Sequence, residues 1–143
     1  MKHFFLLFFT ALLMGLPLNA EPIKARDALS QLPDSIIPYL TKNNRLDLID
    51  FMDSGMRARV QNSFEGYTEL LALADDSLTL RLTEASVLKL YVISVGQEID
   101  GSNQILLLSF HVGVPEEKKD IVNRYYSIMW RPLDENERKF LTE

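Results

Sequence analysis

The chain has no cysteine, and of its two histidines only His111 lies beyond the first twenty residues. The lack of cysteine rules out disulfides and lipid attachment at a lipoprotein cysteine. With a single histidine left, the usual Cys/His zinc sets are excluded too. A Ser–His nucleophile would have to use His111, which falls at a strand end on one face with Ile105, Leu107 and Ser109. A histidine at the rim of a sheet face is the plainer reading. Glycine is scarce, six residues, and forms neither a phosphate loop nor a dinucleotide fingerprint. Gly-x-Ser-x-Gly elbows and Asp-x-Asp-x-Asp-Gly calcium loops are also missing, so no cofactor and no metal is expected. Beyond the N-terminus no apolar run is long enough to span a bilayer.

What is present begins with residues 1–20. Lys2 and His3 precede an apolar run over residues 4–16, broken only by Thr10 and Gly15, and the segment closes on Leu18, Asn19 and a small Ala20. That order reads as a secretory signal peptide cleaved after Ala20; the apolar run is short for a membrane span of ~20 residues. Removing Lys2 leaves 14 basic residues against 20 acidic ones, a formal net charge of −6. An acidic surface argues against nucleic acid or anionic lipid as a partner. The expectation is an exported protein, periplasmic or extracellular, not a lipoprotein, with no stable membrane insertion after signal cleavage. Residues 21–143 form a single α+β domain in this reading.

Residues 67–93 organise that domain. Leu78, Leu80 and Leu82 alternate with Thr79, Arg81 and Thr83, which places leucines on one face of a strand and polar groups on the other. Asp75-Asp76-Ser77 and Thr83-Glu84-Ala85-Ser86 supply turn residues on either side. The pattern predicts an antiparallel meander with one wet face.

Upstream, a short helix over residues 21–32 is stopped by Pro33, and Pro38 prevents residues 33–40 from forming one regular helix. Thr41 reads as the N-cap of a second helix, with an inward stripe through Leu46, Ile49, Met52 or Asp53, and Met56, broadened by Leu48 and Phe51. Asp47, Asp50 and Asp53 then share an exposed side, and Gly55 weakens or ends the helix. Residues 56–60 can carry it one more turn. Downstream, residues 94–103 read as loop with an Asp100-Gly101 hairpin turn, residues 104–112 as a strand apolar on both faces, residues 113–119 as a charged loop, and residues 120–130 as a last strand. A short helix over residues 133–141 follows. Helices first and then about five strands is the α+β order: N-terminal helices packed on an antiparallel meander sheet.

Residues 32–52 (LPDSIIPYLTKNNRLDLIDFM), followed by SLTLRLTEAS at 77–86, resemble a secreted Bacteroidetes family known as domain of unknown function 3256. A strand at 104–112, a proline loop and a Tyr-rich strand ending in Trp130 agree with it, so the likeness covers most of residues 32–133. The resemblance implies export in a Gram-negative cell and one compact domain; it supplies no activity and no catalytic residues. Family members run longer beyond the Trp-bearing strand, so the expectation is a short form or a fragment lacking a C-terminal element.

Twenty acidic residues make some carboxylate pair inevitable, so their number does not indicate a glycosidase. Binding a protein or peptide, without catalysis, is the expected role. Aromatic residues at a sheet edge anchor partners, and an exposed edge strand can pair with an extended peptide. Tyr126 and Trp130 share an apolar face and read as core, whereas Tyr125 and Tyr91 are the surface candidates, with Glu84 in the second turn. The alternative is an envelope hydrolase or lyase using carboxylates such as Glu84; a third reading is an accessory subunit whose apolar face completes another protein.

Overall fold

The computed structural model describes residues 21–113 and 119–141. The signal peptide read over residues 1–20 and most of the charged loop at 113–119 lie outside them. Helices α1 (Ala25–Gln31) and α2 (Lys42–Asp53) precede strands β1 (Arg59–Gln61), β2 (Tyr67–Leu73), β3 (Ser77–Thr83), β4 (Ser86–Ile99), β5 (Ser102–Val112) and β6 (Asp120–Ser127); α3 (Glu135–Arg138) and a 3-10 turn (Lys139–Leu141) follow. Each strand pairs antiparallel with the next in sequence order. The architecture is the expected α+β meander, with six strands among the described residues.

Strand period decides the two faces. Leu70, Leu78, Leu80, Leu82, Leu88, Leu90, Leu106 and Leu108 are buried in one cluster with Ala28, Leu29 and Leu32 from and beside α1, Ile37 and Leu40, and Leu48 and Ile49 of α2. This is the front face, roofed by the helical third. Tyr126 and Trp130 belong to the same cluster, their rings 5.4 Å apart.

The irregular stretch under Pro33 and Pro38 is held by one side chain. Arg45, only 2% exposed, donates to the carbonyls of Leu32 and Leu40 (both 2.6 Å) and to Asp34 Oδ1 (2.8 Å). Those carbonyls need a donor because the prolines break the regular pattern. Arg45 therefore takes an inward position on α2, and the predicted stripe shifts: Leu46 and Met56 are exposed, while Leu48 and Ile49 are buried. Thr41 is the N-cap, accepting from the Asn44 amide. The C-terminus closes at Gly55 (φ 69°) with Met56 N–H on Phe51 O and Gly55 N–H on Met52 O, a Schellman arrangement. The further helical turn expected over residues 56–60 does not form. After the left-handed glycine the chain leaves extended, and residues 59–61 pair with β2 as an edge strand.

Two other boundaries differ from the sequence reading. Residues 94–103 are not loop: β4 and β5 extend as an irregular ribbon to the Asp100-Gly101 turn, both residues at positive φ, as a type I′ turn requires. The ribbon is kept extended because Ile99 and Val95 pack with Ile93, Ile105, Tyr125 and Leu133, with Phe140 and Leu141 against them. The last strand ends at Ser127 rather than Trp130. Trp130, at φ 61°, reverses the chain, so that Ser127 N–H meets Arg131 O and Leu133 N–H meets Tyr125 O. The back face is thus covered at this corner by the C-terminal segment. Arg131 fastens it with forked hydrogen bonds to Asp100 (3.0 and 3.2 Å) and Glu137 (3.0 and 2.7 Å).

Candidate functional site

The opposite end of the back face is open. Antiparallel register sets Arg59 beside Glu69 and Glu69 beside Arg81, so one row of alternating charge crosses β1, β2 and β3. Arg57 grips Glu69 through Nε to Oε1 (2.8 Å) and Nη2 to Oε2 (3.0 Å), and Arg81 approaches Oε2 at 3.4 Å. The Arg57 hydrogen bonds, with the neighbouring arginine charges, hold the Glu69 carboxyl below its ordinary range. Arg59 has no carboxylate partner among the described residues; its guanidinium lies 3.9 Å from the centroid of the Tyr67 ring. Stacked in this way, the guanidinium keeps its N–H fork clear for an incoming acceptor.

A tight connection shapes the rim. Asn62, buried, accepts from the Phe64 amide through Oδ1 (3.0 Å) and donates through Nδ2 to Thr68 Oγ1 (3.2 Å), whose hydroxyl donates to Leu82 O (3.0 Å). The side chain is satisfied and the loop fixed, with Glu65 at φ 64° and Ser63 N–H on Tyr39 O. Phe64 is consequently presented at 72% exposure, stacked on Tyr39 at 4.9 Å. Thr83 and Ser86 close the β3–β4 turn by a 2.7 Å hydroxyl pair, placing exposed Glu84 on the far wall. Together these residues line a basin of about 660 Å³, within the size range of ligand pockets. Its lining combines aromatic surface, one guanidinium without a carboxylate partner among the described residues, and carboxylates. Glu69, kept ionised by Arg57, is a poor proton donor for acid catalysis.

The three residues singled out from sequence are not brought together. Glu84 lines the basin. Tyr91 is half-buried between Ser77 and Leu107 and borders a shallow depression with Gln104 and Asp76. Tyr125 is half-buried against the Ile99–Ile105–Leu133 cluster, under the C-terminal segment. Sequence reasoning missed Arg59, Phe64 and Tyr67. The available signal was the alternation Arg57-x-Arg59 followed by Tyr67-x-Glu69, which a continued helix at 56–60 conceals. His111 Nε2 lies 3.0 Å from Ser109 Oγ, and among the described residues no carboxylate hydrogen-bonds its other ring nitrogen. No three His, Asp or Glu side chains gather to hold a metal among the described residues.

The family model for a protein of unknown function (DUF3256) matches residues 18–142. Nothing among curated proteins matches the chain. A solved structure, that of a domain of an uncharacterized protein from Porphyromonas gingivalis W83, superposes with a TM-score of 0.61 at 17% identity, covering 81% of this chain and 56% of that one. That likeness is one of fold, and this chain spans little more than half the length of the other.

Proposed function

The chain belongs to the family of proteins of unknown function DUF3256, and from that premise we propose that it is an exported, non-enzymatic domain that binds a protein or peptide in the periplasm or at the cell envelope. Export is supported by the basic, apolar and small-residue order of residues 1–20, and the absence of cysteine makes the exported form no lipoprotein. No helix among the described residues is long and apolar enough to cross a membrane.

The observation that carries the binding reading is the Arg59–Tyr67 stack, with exposed Phe64 beside it, at the open end of the back face. Tyrosine and arginine concentrate binding energy at interfaces, and here neither is occupied by the fold's own cores. An envelope fraction passed over wild-type protein and over an Arg59→Ala/Tyr67→Ala variant tests it. One partner recovered stoichiometrically by wild type and lost by the variant, with unchanged melting temperature, is the expected result. Equal recovery by both proteins, or turnover of a cell-wall or glycan substrate that Glu84→Gln abolishes, would overturn it. Mass analysis of the periplasmic form should find Glu21 at its N-terminus.

A further inference from the structure

The two edges of the sheet differ. β1 is three residues long and carries Arg59, the short and charged edge that discourages pairing. β6 is longer, regular against β5 without a register shift, and contains neither proline nor lysine. Its outer side is covered only near the end, where Leu133 N–H bonds Tyr125 O and Ser127 N–H bonds Arg131 O. Residues 120–124 are all exposed, Ile121 at 57% and Val122 at 47%. Outward and inward backbone groups alternate along an edge. Since Tyr125 turns its carbonyl outward, Asn123 and Ile121 direct their N–H and C=O groups outward as well. Among the described residues no group donates to those carbonyls or accepts from those amides.

We infer that this edge pairs with a second copy of itself, Val122 on the two-fold axis, joining two sheets into one. In that antiparallel register Ile121 and Asn123 of one copy face Asn123 and Ile121 of the other, and exchange four backbone hydrogen bonds. Val122 faces Val122 as the closely spaced, non-hydrogen-bonded pair. Asp120 of each copy faces Arg124 of the other. Neither charge has an ion-pair partner in its own chain among the described residues; Arg124 lies only over the Phe110 ring at 5.6 Å. The register is selected by charge: moving the axis to Ile121 sets Asp120 against Val122, and moving it to Asn123 sets Arg124 against Val122. Opposite charges directly across a strand pair stabilise it and like charges oppose it. Five residues a side bury less than the roughly 1,200 Å² of a standard interface, so the dimer is a weak one. This edge lies across the sheet from the Arg59–Tyr67 basin, and the pairing stands independently of any partner held there.

Sedimentation equilibrium of the purified chain over a concentration series tests the pairing. Wild type should show a reversible monomer–dimer equilibrium. Asp120→Arg places two Arg–Arg pairs across the axis and should weaken dimerisation at least tenfold; Asp120→Arg combined with Arg124→Asp should restore it. Asn123→Pro removes an outward N–H without touching a bond to β5, and should also leave a folded monomer, as checked by circular dichroism. A wild-type monomer at every concentration, a dimer indifferent to Asp120→Arg, or a double reversal that fails to restore pairing would each overturn the inference.

Discussion

On the front of the sheet, leucines from four consecutive strands meet α1, α2 and the proline-broken segment between them, and those leucines are almost wholly shut away from solvent. The back of the same strands is divided. One corner is closed by Leu133, Phe140 and Leu141 over Ile99, Ile105 and Tyr125; the other end carries charge, a stacked arginine and an exposed phenylalanine around a basin. The difference follows from the strand period. Alternation gives β2 to β5 their inward leucines, and what stands between those leucines is free to vary along the strand. It is apolar near the Asp100 turn and charged near the Glu84 turn. Stability is concentrated on one face, which leaves one end of the other available for recognition.

The largest expected effect tests the front. Leu90 is completely buried in the central strand β4, and Leu90→Ala should cost about 2–5 kcal/mol through lost burial and a residual cavity. Urea melts check it; a loss below 1 kcal/mol would mean that the helices do not seal this face. Next comes the support of the roof. Arg45→Leu leaves the Leu32 and Leu40 carbonyls without their donor and should cost roughly 2–4 kcal/mol. Hydrogen exchange should quicken selectively over residues 32–40, and uniform exchange along the chain would contradict the tie.

A smaller effect separates the back corner from the front. Hydrogen bonds from Arg131 hold the Asp100 and Glu137 carboxyls below their ordinary values of 3.8 and 4.5. A carboxylate with a depressed folded-state value stabilises the fold above its ordinary value and loses that contribution as pH falls through the depressed one. Arg131→Ala should therefore lower the melting temperature by less than Leu90→Ala does. The deficit should be constant between pH 6 and pH 8 and should shrink below about pH 4. A deficit that grows on acidification would place the clamp's contribution elsewhere.

The front was legible in the sequence because it rests on repetition. Leu78, Leu80 and Leu82 alternate with polar residues, Thr41 caps a helix, and Gly55 ends it; each is a local rule with a local signature. The back was less legible because its structure depends on contacts distant in sequence. Residues 94–99 look like loop until Leu133 and Phe140 are known to lie across them, and Tyr125 looks like a surface aromatic for the same reason. Arg45 reads as an ordinary helix-start cation, since nothing local shows that the carbonyls of Leu32 and Leu40 will need it. Of the basin only Glu84 was singled out. Arg59 and Tyr67 become neighbours through the pairing of β1 with β2, and three residues are too few to announce a strand.

The division of the back face into a closed corner and an open end proposed to bind a partner is tested most directly inside the cell. A photo-crosslinking residue placed at Phe64 or at Tyr67 should trap the same discrete partner, while one at Asp47, on the exposed side of α2, should trap none. Identical products from all three positions, or none from Phe64 and Tyr67, would contradict the account.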